Sequence, residues 1–313
     1  MTAHSTPPAA PAGYFEDLAS KALAPGWAKR EPQMWPAPRS KYVPAVWRYA
    51  DARKALDTAG EFVSPEQAER RNLILVDPIE GNVYPSTRHL VAAYQLVLPG
   101  ETAHAHRHSP NAIRIILDVG ADTYTVVNGT RVDLAKDDVV LTPTWHWHDH
   151  SNLGDTSAFW IDILDVPLVQ NLENIYFEEH PELDQKVIET DPNSSLRAKG
   201  VDIAKATQAH GSYEIAPGGI ATMSIKSLGF KAGEKVNHPK RIINRVYAVL
   251  AGRLKFDIEG LGEVELTRGD IVVVPTWHKH SVEGLDAYSQ VIQVTDEPVF
   301  EKLGFTEVRR SGE

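Results

Sequence analysis

Cysteine is absent from all 313 residues of the chain. Without thiols the chain can form no disulfide, no cysteine-ligated zinc site, no iron–sulfur cluster and no thiol nucleophile. Any metal ion must therefore be held by histidine, aspartate or glutamate side chains.

Basic residues are also in short supply, because 32 Lys and Arg stand against 42 Asp and Glu and the formal net charge is −10. No long basic run occurs, so the summed field repels phosphate backbones and anionic lipid, and we expect no nucleic-acid partner. No stretch approaches the ~20 apolar residues that a membrane span needs. The start, MTAHSTPPAAPAGYF, lacks the basic and apolar regions of a signal peptide. We therefore expect a cytoplasmic protein without a membrane partner.

Helical patterns give way to strand patterns at about residue 72. Residues 14–71 read as helical segments interrupted by proline, whereas the following residues contain short β-branched runs such as NLILV, AIRIILDV and TYTVV, separated by turn residues. The Asn128-Gly129 pair between TYTVV and TRVDL predicts a tight β-hairpin. The predicted fold class is all-β.

Two segments of the chain repeat each other. DDVVLTPTWHWHDHS (137–151) aligns with GDIVVVPTWHKHSVE (269–283) at an offset of 132 residues. An internal duplication of an all-β unit of roughly 100 residues explains this offset. The sequence therefore predicts two antiparallel barrels in one chain.

We predict four regions along the chain: a short helical N-terminal arm, a first barrel that carries the functional site, a connecting segment, and a second barrel with a degenerate site. They comprise residues 1–72, 73–170, 171–215 and 216–313.

Histidine is concentrated in two stretches, TAHAHRHSP and PTWHWHDHSN, which hold six of the thirteen histidines at alternate positions. Side chains in a strand alternate between faces, so His106 and His108 point to one side, as do His146, His148 and His150. A single strand histidine is usually a satisfied polar group, but neutral imidazoles on one face of paired strands can converge on a divalent metal. We predict His106, His108 and His148 as metal ligands.

The spacing of these residues is similar to the two motifs of the cupin family, G(X)5HXH(X)3-4E(X)6G and PxGxxH(X)3N. The first runs from Gly100 through the two histidines to Gly120, and the second runs from Pro143 to Asn152. The resemblance implies a bicupin made of two double-stranded β-helix (jelly-roll) barrels. The motif's glutamate ligand falls on Ile113, which cannot bind a metal, so three histidines leave positions open for a chelating substrate and O2.

The second barrel lacks most of this pattern. At the HXH position it reads Pro239-Lys-Arg241, and only His280 and the offset His238 remain. We therefore expect one functional site per chain.

Several longer segments together resemble the bicupin ring-cleaving dioxygenases that act on gentisate, salicylate and 1-hydroxy-2-naphthoate. The resemblance runs from about Trp35 to Arg253 and beyond, and its strongest segments are ERRNLILVDP, YQLVLPGETAHAHRHSPNAIRI, LTPTWHWHDHSN and WIDILDVPL.

The resemblance implies that the family's three iron ligands fall on His106, His108 and His148. It also assigns residues on the substrate side of the metal. These are Arg114, which meets the substrate carboxylate, His150, which lies near the substrate oxygens and is catalytic together with Arg114, and the substrate-binding residues Gln95, Arg70 (with Arg71 as its rival) and Asp162.

The family's chemistry implies Fe(II) as the cofactor, with a small aromatic acid and O2 as the partners, in aromatic compound catabolism. A 2-hydroxybenzoate binds the iron through its phenolate and carboxylate oxygens, and the ring opens between the carbons that bear these two groups. Relatives are often tetramers, so a homotetramer is expected.

Two other classes of function stay open at this point. One is a non-oxidative metal cupin, an isomerase or decarboxylase, and the other is a cupin that only binds a small aromatic acid. Gentisate, salicylate, 5-substituted salicylates and 1-hydroxy-2-naphthoate all remain candidate substrates. His104 and His146 lie outside the motif but share the ligands' faces if their strands are regular, so we expect them at the rim of the pocket or behind the ligands. We expect Trp145, Trp147 and Trp160 to lie in the core, as strand aromatics usually do.

Overall fold

β-Strands make up most of the structure, a computed structural model that describes residues 10–28, 34–64, 67, 70–215 and 219–305. The chain divides into two units, residues 1–39 and 40–313. The first unit contains helix α1 (Tyr14–Ser20) and a 3-10 turn over Gly26–Ala28. No helix within the described ranges is long and apolar enough to cross a membrane.

The second unit contains the strands and the remaining helices. The first ten strands are β1 (Ala45–Trp47), β2 (Arg71–Ile74), β3 (Val91–Val97), β4 (Glu101–His108), β5 (Ala112–Asp118), β6 (Thr123–Val127), β7 (Thr130–Asp133), β8 (Val139–Thr142), β9 (His148–Asn152) and β10 (Ala158–Leu164). The next six are β11 (Phe177–Glu179), β12 (Glu189–Thr190), β13 (Arg197–Ala198), β14 (Ser212–Ile215), β15 (Ser224–Phe230) and β16 (Lys235–His238). The last six are β17 (Arg245–Ala251), β18 (Leu254–Ile258), β19 (Gly262–Leu266), β20 (Ile271–Val274), β21 (His280–Gly284) and β22 (Ser289–Thr295). The helices are α2 (Tyr49–Gly60), α3 (Val166–Asn171), α4 (Gly200–His210) and α5 (Glu297–Lys302).

Four sheets form two barrels of similar design. The first barrel has one sheet in the order β13-β8-β5-β10-β3-β2 and another in the order β11-β4-β9-β6-β7-β12. The second barrel has sheets in the orders β1-β20-β17-β22-β15-β14 and β16-β21-β18-β19. The order β8-β5-β10-β3 in the first barrel corresponds to β20-β17-β22-β15 in the second, and β4-β9-β6-β7 corresponds to β16-β21-β18-β19. This correspondence agrees with the duplication seen in the sequence.

The two barrels pack against each other through one face of one sheet from each. Ile113 and Ile115 of β5 share a buried apolar cluster with Val246 and Ala248 of β17. Side chains alternate along a strand, so the residues between them face the barrel interiors. In the first barrel this alternation turns Arg114 inward, away from the apolar cluster.

An asparagine–aspartate hydrogen bond fixes one loop in each barrel. The loop follows β4 in the first barrel and β16 in the second. The Asn111 backbone N–H donates to the Asp165 carboxylate at 2.7 Å, and the Asn244 N–H donates to Asp296 at 2.8 Å. Each asparagine side-chain oxygen accepts from the backbone of the loop that precedes the histidine strand, at Thr144 in the first barrel. Buried carboxylates of this kind are stable only when they are hydrogen-bonded, so the contact holds the histidine loop in place.

The predicted N-terminal arm contains strands as well as helix α2. Ala45 of β1 pairs with Val273 of β20 in the second barrel, and Asn72 of β2 pairs with Gln95 of β3 in the first barrel. Residues assigned to the arm thus contribute a strand to a sheet of each barrel. The hairpin prediction agrees with the structure, because Asn128 and Gly129 join β6 to β7 with φ values of 48° and 83°, as a type I′ turn requires.

We predict that Ile115→Ala destabilises the fold by ~2–5 kcal/mol, because it leaves a cavity in the apolar cluster between the barrels. Urea unfolding followed by fluorescence measures the change. Val83→Ala is the control, because Val83 is 84% exposed, and its free energy of unfolding should stay within ~0.5 kcal/mol of the parent. Equal effects of the two substitutions would contradict the packing described above.

Candidate metal centre and substrate cavity

Three histidines meet inside the first barrel. His106 and His108 lie at alternate positions of β4, and His148 opens β9, where it pairs with His106. One nitrogen from each ring lies within 4.8 Å of the other two. The three residues predicted as metal ligands thus lie close together, and their role as ligands stays a prediction.

Backbone carbonyls hold two of the three rings in one tautomer. His108 Nδ1 lies 2.8 Å from the Pro110 carbonyl oxygen, and His148 Nδ1 lies 2.9 Å from the His146 oxygen. A carbonyl oxygen only accepts, so each Nδ1 carries the proton and each Nε2 presents a lone pair. His148 Nε2 is buried without a hydrogen-bond partner among the described residues. A lone pair in this position fits a metal ion, and carbonyl contacts of this type orient histidine ligands.

Burial keeps these imidazoles neutral. Desolvation lowers the pKa of His108 to about 4, and it lowers the pKa of the more deeply buried His148 well below the usual range. Neutral imidazole is the form that binds metals. The donor set, its burial and its tautomers together fit a divalent cation.

A cavity of about 430 Å³ opens beside the three histidines. Its polar wall contains all four non-histidine residues that the family resemblance assigned to the substrate, namely Arg70, Gln95, Arg114 and Asp162. Its apolar wall contains small and aliphatic side chains, namely Val91, Ala93, Ala112, Leu164 and Val166. The cavity has the size and the mixed lining of a small-molecule site.

Arg114 and Asp162 form a buried ion pair in the polar wall. Arg114 Nε lies 2.9 Å from Asp162 Oδ1, and the Trp160 indole N–H donates to Asp162 Oδ2 at 3.0 Å. Arg114 Nη1 and Gln95 Nε2 are buried donors without a hydrogen-bond partner among the described residues. Donors left over in a buried site require an acceptor, and a carboxylate would satisfy them.

Comparison with known proteins places this site in a family. A family model described as a cupin domain matches residues 93–164. The 5-aminosalicylate 1,2-dioxygenase of a Comamonas species is 31% identical over an alignment 330 residues long, which includes 92% of this chain and 87% of the relative. The gentisate 1,2-dioxygenase of a Streptomyces species is 28% identical over an alignment 342 residues long, which includes 95% of this chain and 94% of the relative.

A solved structure shares the whole fold. It is salicylate 1,2-dioxygenase from Pseudoaminobacter salicylatoxidans, in its adducts with gentisate, with a TM-score of 0.87 and 24% identity over 97% of this chain and 95% of that one. The chain belongs to the cupin family of ring-cleaving dioxygenases.

The face that carries the fourth ligand in other cupins bears no carboxylate in this dioxygenase. The motif spacing put Ile113 at the position of the glutamate ligand, but Ile113 lies in the apolar cluster between the barrels. Ala112 is the residue that lines the cavity, because alternation along β5 puts it on the same face as Arg114. Ile113 was therefore the wrong equivalent, and an alanine methyl takes the place of the ligand.

Arg70 and Arg71, the two candidates for one substrate-binding position, lie in different places. Arg70 lines the cavity, and its Nη2 lies 3.2 Å from His106 Nδ1. Arg71 instead forms an ion pair with Glu101, with Nη1 2.6 Å from Oε2. Of the two, Arg70 is the one in reach of a substrate.

His150 lies between His148 of the histidine cluster and Trp160. Its ring centroid is 5.7 Å from that of His148 and 5.6 Å from that of Trp160. Both ring nitrogens are buried without a partner in the described part of the chain, and His150 is not among the cavity-lining residues described there. Its substrate-side role stays a prediction.

The other histidines of the two stretches lie outside the cavity lining. The pairing of β4 with β9 shifts between Ala103 and His106, and such a bulge re-aims the side chains on either side of it. His104 therefore does not share the position of the ligands. His146 contributes its backbone oxygen to His148, while its own Nδ1 lies 2.9 Å from the Thr144 oxygen.

The tryptophans divide between core and surface. Trp160 is buried as expected, but the expectation for Trp145 was wrong, because it is 39% exposed. Trp145 has a φ of 61° at the position of the motif's glycine, which turns it out of the barrel. The Arg107 guanidinium lies 4.5 Å from the Trp145 ring and 4.4 Å from the Trp147 ring.

One wall of the cavity was missed by the sequence analysis. Strand β11, in the segment taken as a connector, pairs with β4 so that Phe177 lies opposite His108. The Phe177 ring is 5.0 Å from the His106 ring, and Ile175 and Tyr176 also line the cavity. The only local signal was the short apolar run IYF, which does not reveal its pairing partner.

We predict that His148→Ala removes the bound metal, because two imidazoles and no carboxylate make a poor cage. Metal content after anaerobic reconstitution, measured by plasma mass spectrometry, should fall from about one ion per chain by at least about tenfold. His146→Ala is the matched control: it preserves the backbone carbonyl that orients His148 and should retain the metal. Full metal occupancy in His148→Ala would rule out this ligand set.

Proposed function

We propose that this dioxygenase uses Fe(II) to open a 2-hydroxybenzoate between the carbons that bear the carboxyl and hydroxyl groups. Gentisate, salicylate and 5-substituted salicylates are the proposed substrates. The names of the two relatives, which act on 5-aminosalicylate and gentisate, support this class of substrate, as does the gentisate adduct of the salicylate dioxygenase.

The observation that carries the proposal is the proximity of two unsatisfied groups in one cavity. The buried His148 lone pair would be stabilised by a cation. The buried Arg114 and Gln95 donors would be stabilised by an anion. A 2-hydroxybenzoate can chelate a metal through its two oxygen groups while its carboxylate also meets a guanidinium. An apolar wall opposite suits the aromatic ring.

Iron is proposed from the donor set and the reaction class. Three neutral nitrogen ligands without a carboxylate leave open positions on a six-coordinate ion. A ferrous ion bound there would supply the redox chemistry that lets triplet O2 react with a closed-shell aromatic ring. His106, His108 and His148 would hold it.

The chain's own residues orient and enclose the substrate. Arg114 offers a planar, two-pronged donor for the carboxylate, and its ion pair with Asp162 fixes the direction of the guanidinium. Gln95 and Arg70 add donors on the same wall, and Phe177 covers the ligand histidines. The net charge of −10 makes a local cation necessary for holding an anionic substrate.

His150 is proposed as a catalytic residue beside the substrate oxygens. Its unpartnered ring nitrogens support this role, since a neutral imidazole can accept a phenol proton. The competing role is to orient His148 within the site.

The direct test is anaerobic reconstitution with Fe(II), followed by O2-electrode and ultraviolet assays with gentisate, salicylate, 5-aminosalicylate and 1-hydroxy-2-naphthoate. Stoichiometric O2 uptake with a new ring-opened chromophore is expected for at least one acid. A chain that holds its metal but consumes no O2 with any of them would overturn the proposal in favour of a non-oxidative or purely binding cupin.

A cytoplasmic homotetramer is also proposed, on the family resemblance. Light scattering coupled to gel filtration tests the subunit number, and a monomer at micromolar concentration would contradict it.

For Arg114→Lys we expect the KM for the substrate to rise by ~10- to 100-fold, because the bidentate, charge-assisted contact with the carboxylate is lost. Steady-state kinetics with matched iron content measures the effect. Arg107→Lys is the control, because Arg107 pairs with Glu178 at the surface, and its KM should not change. An unchanged KM in Arg114→Lys would remove Arg114 from the substrate site.

For His150→Ala we expect a loss of kcat of ~10²- to 10⁴-fold with iron content retained, as for removal of a positioned acid–base group. Metal analysis and single-turnover rates are measured on the same sample. If iron and activity fall together, His150 orients the metal ligand instead.

A further inference from the structure

The second barrel keeps two of the histidine positions of the first. His238 of β16 lies opposite His280 of β21 in the strand register, as His106 lies opposite His148. The two rings are stacked, with centroids 4.5 Å apart and an interplanar angle of 10°. The sequence analysis treated His238 as offset from the motif, but the strand register aligns it with His106.

The inward nitrogen of His280 is already hydrogen-bonded. Gln293 Nε2 donates to the Tyr247 hydroxyl at 2.7 Å, and that hydroxyl lies 2.7 Å from His280 Nε2. In either tautomer of His280 this contact leaves Nε2 no free lone pair for a metal, because Nε2 either accepts the phenol proton or carries a proton itself. Tyr247 and Gln293 face each other across β17 and β22 as Arg114 and Asp162 do across β5 and β10.

A buried cation lies next to this network. Arg245 is only 2% exposed and stands two residues before Tyr247 on β17, so both side chains face the barrel interior. Among the described residues Arg245 forms no ion pair, and its Nη1 has no hydrogen-bond partner. Burial lowers the pKa of this guanidinium below its usual range, which marks a charge with too little compensation.

The nearest carboxylates are engaged elsewhere. Asp296 accepts from Asn244 at 2.6 Å and contacts His89 at 2.7 Å. Glu297 forms an ion pair with Arg241. Both act on Arg245 only from beyond ion-pair distance, so no carboxylate in the described ranges contacts the guanidinium directly.

A second polar group faces the same interior as Arg245. By strand register Arg245 takes the place of Ala112 and His238 takes the place of His106, and both of those residues line the cavity of the first barrel. His238 is partly exposed, and its Nε2 is a buried atom without a partner in the described part of the chain. Burial, and after it the charge of Arg245, lowers the pKa of His238 to about 4. Positive charge beside two neutral imidazoles repels a metal cation and attracts an anion.

We propose that the second barrel binds a small monovalent anion, of halide or formate size, between Arg245 and His238. The duplicated scaffold then holds a cation in one barrel and an anion in the other. This site is independent of the proposed reaction, since it shares no residue with the cavity of the first barrel.

The test is thermal unfolding of the full chain as sodium formate, or in a parallel series sodium chloride, replaces sodium gluconate at constant ionic strength. A ligand that binds only the folded state raises Tm in a saturable way. We expect such a rise for the parent chain with at least one of the two anions, and no saturable rise for Arg245→Met. In low-anion buffer, Arg245→Met should be at least as stable as the parent, because it removes an uncompensated buried charge.

Arg253→Met is the matched control, because Arg253 is a surface cation of the same barrel that is paired with Asp286, and it should keep the parent's response. His238→Phe provides a second variant should Arg245→Met fail to fold, and it should weaken the apparent anion affinity by at least about tenfold. An identical anion response in the parent, Arg245→Met and His238→Phe, or no saturable response in the parent, would overturn the proposal.

Discussion

The buried, unpartnered lone pair of His148 is the constraint around which the first barrel is organised. Burial in an apolar interior keeps His108 and His148 neutral, and backbone carbonyls fix their protons on Nδ1. His148 Nε2 is then left buried without a hydrogen-bond partner among the described residues, an arrangement that is costly unless a cation is present. The strand register, the bulge in β4 and the loop held by Asn111 all act to keep the three histidine rings together.

The two barrels share one strand arrangement but differ in the charge and hydrogen bonding of their interiors. In the first barrel, paired strands present Arg114 and Asp162, and His148 Nε2 has no hydrogen-bond partner among the described residues. In the second, Tyr247 and Gln293 occupy the corresponding pairs and close the nitrogen of His280. Replacing an ion pair by a phenol and an amide changes what the adjacent histidine can bind, although the backbone pairing is the same.

Much of the first barrel could be predicted because its signals are local. The Asn128-Gly129 turn, the alternation of His106 and His108, and the position of Arg114 depend on residues close in sequence. What was missed depends on pairing between distant segments. The docking of β11 on β4 and of β1 on β20 leaves no trace in either segment alone.

One error had a geometric cause. The cupin spacing allows three or four residues after the second histidine, and counting four selected Ile113. Alternation along β5 decides for Ala112, because Arg114 on the same face lines the cavity. The choice required knowing which face of β5 packs on the second barrel, which is a property of the assembled sheets.

We expect one metal ion on three histidines to receive the substrate beside Arg114. Anomalous diffraction at the iron edge, from crystals reconstituted with Fe(II) and soaked anaerobically with salicylate, locates both the ion and the substrate. A single iron peak per chain should lie among the imidazole nitrogens of His106, His108 and His148, with the salicylate carboxylate against Arg114. Iron at His238 and His280, or a carboxylate that points away from Arg114, would contradict it.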